Sequence, residues 1–367
     1  MIPLNRPHTF IGLESDYIQR SFSGYHVNYL VTAGDALNLI YKHLFDERGA
    51  LRVGVSPLAC FHAHYPIVLA GHTPIFLDID KDTFNLDVSH IEEWPEMDVL
   101  EIIHLAGNPN DMTTITEWAE KHNVIVVEDC AQALGAKWDG RLLGTFGDYA
   151  VFSLIKNIYV SGALMLSKCV IDVDVCKEVS KWAMRYKRLR WGIEARTTAD
   201  RYNPYNLMLP LLMQLREKRR GFISSMRTIG DKQQKLINKA IGSIDQLNEC
   251  RRKLADAYMK SVPWKWQSEL EGAESSRNRM LAYLPNKEAS KVISLLREAG
   301  LAANNLTQNY FIGYQPHIRE NELLNKYYHK ESCQNYEKMF PHFVAVPFSP
   351  NLTEKETNYV IEILKQI

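Results

Sequence analysis

At 367 residues the chain is too long for one minimal core, which predicts two domains or one large domain with a small appendage. Lys+Arg and Asp+Glu are both 43, and hydrophobic residues make up 46%, as in an ordinary globular protein. The zero net charge gives no global reason to expect nucleic acid or an acidic polymer as partner. Cys60, Cys130, Cys169, Cys176, Cys250 and Cys333 form no C-x-x-C pair. Their irregular spacing argues against zinc ribbons and disulfide frameworks and predicts buried free thiols in a reducing cytosol. The N-terminal MIPLNRPHTFIGLESDY lacks the apolar core of a secretory signal. The most apolar short stretch, Tyr205 to Leu215, contains Pro210 and falls well short of the ~20 residues a spanning helix needs. A cytoplasmic protein, soluble or at most resting on a membrane surface, is expected.

In chain order, ALNLIYKHLF from Ala36 has apolar residues at helical spacing. LRVGVS (51–56) reads as a short buried strand, and CFHAHYPIVLAG (60–71) as a helix with Gly71 as its C-cap despite Pro66. TPIFLDID (73–80) is a strand, MDVLEIIHLAG (97–107) contains another, MTTITEWAEKHN (112–123) is a helix, and VIVVED (124–129) and YAVFSL (149–154) are strands. This alternation predicts an α/β fold with a mostly parallel central sheet covered on both faces. In such sheets ligands sit beyond the carboxyl ends of the strands, where Asp129 falls.

The pattern changes after about residue 180. Residues 181–220 hold eleven Lys/Arg and three Asp/Glu, a local excess of eight positive charges around the apolar NLMLPLLMQL. Solvated helix faces or a subunit contact explain this most simply; a peripheral membrane-surface contact, or guidance of a phosphorylated substrate, is the sharper expectation. Residues 232–262 predict one long amphipathic helix, NKEASKVISLLREAGLAAN a helix ending near Gly300, and the C-terminus a helix with Thr353 and Glu356 at capping-box spacing. The expected division is a large domain over 1–235, including the basic and apolar segment 181–225, and a small C-terminal α+β domain over 236–367.

Four blocks then carry a resemblance. HLAGNPNDM (104–112), GHTPIFLDIDKDTFNLD (71–87), VVEDCAQALGAKWDGRLLGTFGDYAVFS (126–153) and NKAIGSIDQLNECRRKLADAY (238–258) stand in one order. They resemble the DegT/DnrJ-type sugar-nucleotide aminotransferases, which are pyridoxal-phosphate (PLP) enzymes of fold type I, aspartate-aminotransferase-like. The resemblance implies that Asp129 holds the proton on the cofactor's ring nitrogen. It makes Lys156 the Schiff-base lysine and the proton shuttle. It also implies that Gln132 lies near the phenolic oxygen, Ser153 faces the phosphate, Phe61 covers the ring, and Gly34 and Asp35 belong to the phosphate loop. His62 and His64 alternate as in a strand, but no third ligand is in register, so no metal is expected. A homodimer is implied as well.

Three departures stand out. Gly34 replaces the phosphate-loop threonine, a loss of one donor worth ~1–3 kcal/mol if the phosphate is not otherwise satisfied. Only Leu154 and Ile155 separate Ser153 from Lys156, where the family has four residues. The family's Asn-x-Arg-Met segment has no clear equivalent: Asp231-Lys232-Gln233 falls there, with Lys232 or Arg227 as the nearest cations, and the nearest stretch to the small-domain substrate histidine is NYFIGYQP (309–316). The function expected is transfer of an amino group from an amino acid, glutamate first, to a nucleotide- or lipid-linked keto-sugar. The alternatives are a catalytically divergent relative with a regulatory or binding role and a PLP-dependent sugar dehydratase. The dehydratase branch usually has histidine in place of the lysine.

Overall fold

The computed structural model describes residues 2, 15–173, 177–178, 226–301, 303, 308–309, 313–314 and 318–367. The basic segment 181–220 therefore lies outside the described residues, as do Cys176 and most of NYFIGYQP.

Helix α1 (Tyr17–Ser21) leads to β1 (His26–Leu30), α2 (Ala33–Arg48), β2 (Arg52–Val55), α3 (Phe61–Leu69), β3 (Thr73–Phe76), β4 (Val99–Ile103), α4 (Met112–His122) and β5 (Ile125–Asp129). A hairpin of β6 (Lys137–Trp138) and β7 (Arg141–Leu142) precedes β8 (Tyr149–Ser153), the single turn α5 (Leu154–Asn157) and β9 (Ala163–Ser167). The short β10 (Lys177–Glu178) and β11 (Arg227–Thr228) complete a nine-stranded sheet of order β10-β11-β1-β9-β8-β5-β4-β2-β3. Strands β3, β2, β4, β5 and β8 run parallel; β9 is antiparallel to both β8 and β1, so β1 points the same way as β8. This is the mostly parallel sheet of fold type I that the sequence predicts.

Side chains alternate across the pleat, and the two faces build two cores. Leu100, Ile102, Val126 and Phe152 pack on one face with α1, α4 and the helix Asp231–Ile241. Val99, Ile103, Val127 and Val151 pack on the other with α2 and α3. The helix ends follow local chemistry. The Thr32 hydroxyl accepts the Asp35 N–H at 3.0 Å to cap α2, and the Asp111 carboxylate caps α4 through the Thr114 N–H at 3.0 Å.

A third core forms around β12 (Lys265–Trp266), β14 (Met280–Tyr283) and β17 (Phe343–Val346), with the helices Ala289–Glu298 and Glu354–Gln366 packed on it. The capping box of Thr353 and Glu356 is present. Between these elements β13 (Ala273–Glu274) pairs with β6, and β15 (Gln308–Asn309) pairs with β16 (Gly313–Tyr314). The C-terminal chain also returns to the main sheet: the Asp78 carboxylate accepts from the Asn335 and Tyr336 N–H groups at 2.8 and 2.9 Å.

Three expectations are corrected. The long helix over 232–262 is two, Asp231–Ile241 and Ile244–Ser261, broken at Gly242-Ser243, where a Cβ on Gly242 would press on Ser15 at 3.1 Å. His62 and His64 lie on the helix α3, not on a strand. Among the described residues Cys169 and Cys250 are exposed thiols, while Cys130 and Cys333 are buried. None of the described helices is long and apolar enough to cross a membrane.

Candidate active site

The expected site residues gather beyond the carboxyl ends of the parallel strands. Gly34 and Asp35 form the first turn of α2 after β1, and Phe61 opens α3 after β2. Asp129 ends β5, with Gln132 in the turn that follows. Ser153 ends β8, and Lys156 follows within one helical turn. Strands β5 and β8 are neighbours, with Asp129 paired to Val151 two residues before Ser153.

Asp129 is buried, and one of its oxygens accepts the Ala131 N–H at 2.8 Å. Burial pushes its carboxyl above the usual carboxylate range, and the nearby Lys156 and His104 pull it back down. The net effect is upward: the Lys156 charge offsets only part of the cost of burying Asp129. The shortened connection places Lys156 in the turn that follows β8, the strand beside that of Asp129. Behind them Glu101 on β4 is fully buried and accepts from the Tyr41 hydroxyl, while its other oxygen, Oε1, has no hydrogen-bond partner. Burial and the charge of Asp129 hold its carboxyl well above the ordinary range.

Glu128, beside Asp129, serves structure. Its Oε1 accepts the Phe146 and Gly147 N–H groups, both at 2.7 Å, and its Oε2 accepts the Gly144 N–H at 2.8 Å. His104, Glu128 and Cys130 bring donor atoms within 4.8 Å of one another, yet the set does not suit a metal. The Glu128 oxygens already hold three N–H groups, and burial pushes the Cys130 thiol far up, so it stays protonated.

At the start of α2, Asp35 sits in the first helical turn with Arg227 Nε 3.6 Å from its Oδ1. Strand β11 carries Arg227 to this point through pairing with β1. A Cβ on Gly34 would meet His62 Nδ1 at 3.4 Å, so an imidazole stands beside the position of the missing threonine. Phe61 stacks on Tyr65 with ring centroids 5.2 Å apart. Asp231 occupies the first turn of the helix Asp231–Ile241, where a negative charge complements the helix dipole, and Gln233 Nε2 donates to the Ser161 carbonyl at 2.6 Å.

Residues 25–162 match the model of the DegT/DnrJ/EryC1/StrS aminotransferase family. The chain is 30% identical over 245 residues to GDP-perosamine synthase of Escherichia coli O157:H7, a match covering 64% of this chain and 66% of the relative. It is 29% identical over 229 residues to L-glutamine:2-deoxy-scyllo-inosose aminotransferase of Streptomyces kanamyceticus, covering 60% of this chain and 50% of the relative. The chain belongs to the DegT/DnrJ/EryC1/StrS family. Its matches span about two thirds of one relative's length and half of the other's. The crystal structure of the sugar aminotransferase CalS13 from Micromonospora echinospora has the same fold, with a TM-score of 0.73 over 100% of both chains at 18% identity.

The residues of this DegT/DnrJ-family chain fit the PLP that the family implies. Among the described residues Gln132 Oε1 is buried without a hydrogen-bond partner, and a polar group of the cofactor could bond to it. Asp129 is a buried acid with one backbone donor, and a protonated ring nitrogen would give it a cationic hydrogen-bond partner. Sequence reading missed the supports behind the site: Glu101, Asn157, Arg251 and Asn278. Asn157 carries a faint signal, because it follows the lysine directly. The other three lie on elements whose contact with the site only the fold creates.

Proposed function

We propose that this protein is a PLP-dependent aminotransferase that moves an amino group from an amino acid, glutamate first, to a keto-sugar in amino-sugar biosynthesis. The observation that carries this reading is the position of Asp129 and Lys156 at and just beyond the carboxyl ends of the neighbouring strands β5 and β8, with the Lys156 charge lowering the Asp129 carboxyl against its burial. Bound PLP supplies a ring that takes up the electron pair left when a substrate carbon loses its proton. Asp129 would hold the proton on the ring nitrogen, and Lys156 Nζ would anchor the cofactor and serve as the acid–base group for the proton of the substrate carbon. Gln132 would orient the ring through its amide. Gly34 and the other first-turn N–H groups of α2, with Arg227 nearby, would receive the phosphate, and Ser153 would face it. Phe61 is assigned to the ring's face.

The sugar is expected to be carried on a nucleotide or a lipid, and the site to be completed in a homodimer. The names of the two relatives, a GDP-sugar synthase and a cyclitol aminotransferase, support a polyhydroxylated ketone as acceptor. Retention of Lys156 favours transamination over dehydration. The test is spectroscopic. Protein purified with PLP should show a visible band that Lys156→Ala abolishes and that glutamate bleaches. A colourless protein that takes up no PLP contradicts the proposal. A band that glutamate leaves unchanged contradicts glutamate as donor.

A further inference from the structure

The turn that carries Lys156 has a stability problem of its own. Helix α5 is four residues long, too short to persist unaided, and its last carbonyls have no partner within the helix. The Leu154 carbonyl is taken by the Ile158 N–H at 2.8 Å. The Ser153 carbonyl is taken by Asn157 Nδ2 at 2.8 Å, and the same amide nitrogen reaches the Ala131 carbonyl at 3.0 Å. The carbonyls of Lys156 and Asn157 are met from the C-terminal part of the chain. Asn278 Nδ2 donates to the Lys156 carbonyl at 2.8 Å, and Arg251 Nη2 donates to the Asn157 carbonyl at 2.6 Å.

Asn278 belongs to a short strap, Ser275–Asn278, between β13 and β14. The strap bonds to each neighbouring site loop. Asn278 N–H donates to the Ala106 carbonyl at 2.7 Å, Ser276 N–H to the Gly107 carbonyl at 3.1 Å, and Ser276 Oγ to the Gln132 carbonyl at 2.9 Å. The approach is so close that a Cβ on Gly107, which sits at φ +82°, would lie 2.0 Å from Ser276 Oγ. The loops after β4, β5 and β8 are thus fixed to one segment that is distant in sequence.

We infer that Asn278 is a positioning residue for Lys156: its side chain holds the shortened lysine turn against the loops after β4 and β5, and so sets the lysine's place opposite Asp129. The inference rests on the proposed role of Lys156, but its structural half is testable without cofactor. In the cofactor-free protein, Asn278→Ala should speed hydrogen exchange at the Ile158 amide by about two- to tenfold, the worth of one net hydrogen bond. In the PLP-loaded protein it should shift the pH midpoint of the visible band. The control Ser276→Ala, which cuts the contact to Gln132 but leaves that to Lys156, should leave Ile158 exchange unchanged. If Asn278→Ala fails to fold, Asn278→Ser carries the same expectation with smaller amplitude. Wild-type exchange and an unmoved midpoint in the Asn278 variant would overturn the inference, as would equally faster exchange in the Ser276 control. A wild-type protein that takes up no PLP would defeat the functional reading, while the exchange result would still decide whether Asn278 holds the turn.

Discussion

His64 shows how one buried residue ties this protein's stability to pH. Its Nε2 donates to the Ser56 carbonyl at 2.9 Å, its Nδ1 has no partner among the described residues, and its ring stands edge-on to Phe76. Burial lowers its pKa from 6.5 to about 4. Below pH 6.5 the unfolded chain therefore takes up a proton that the folded chain refuses, so stability is present above the unfolded value and is lost as pH falls toward the folded one. Between about pH 7 and pH 5 the loss from this residue should be about 2 kcal/mol. His64→Gln, which keeps a donor for Ser56, should flatten that slope in urea unfolding; an unchanged slope would mean that His64 is not the group responsible. At this scale Asp129 was legible because it stands in a long motif, and Lys156 because it closely follows that motif's last residue, Ser153. Asn278 and Arg251 were not, because a side chain that bonds to a distant carbonyl leaves no spacing in the sequence.

Among the elements, the strands and helices of the first half were readable from periodicity. Buried β-branched runs and cap residues such as Thr32 and Asp111 agree there with the tertiary structure. Amphipathic spacing continues through Gly242, yet the chain forms two helices there, Asp231–Ile241 and Ile244–Ser261, and Gly242 lies where a side chain would crowd Ser15. The loop after β7 depends on a feature that periodicity misses. The Glu128 carboxylate gathers the N–H groups of Gly144, Phe146 and Gly147 and so shapes the loop that leads into β8 and Lys156. Glu128→Gln replaces an acceptor with a donor facing those N–H groups and should cost about 1–3 kcal/mol. Thermal unfolding measures it, and a melting temperature equal to wild type would show that the loop does not depend on this carboxylate.

At the scale of the whole molecule, the fold follows from alternation along the first half, which predicts a sheet with a core on each face and a ligand at the strand ends. The return of the C-terminal chain onto the main sheet, through Asp78 and through the strap at Ser275–Asn278, was not readable, because it joins segments roughly 150 to 260 residues apart by single polar contacts. The shortened Ser153–Lys156 connection is where these scales meet: Lys156 lies in one helical turn braced by Asn157, Asn278 and Arg251, at the end of the strand beside that of Asp129. The most direct measurement is borohydride reduction of the protein incubated with PLP, followed by peptide mapping by mass spectrometry. The pyridoxyl label is predicted on Lys156. A label on another lysine, or none at all, would contradict the assignment of this turn as the cofactor's anchor.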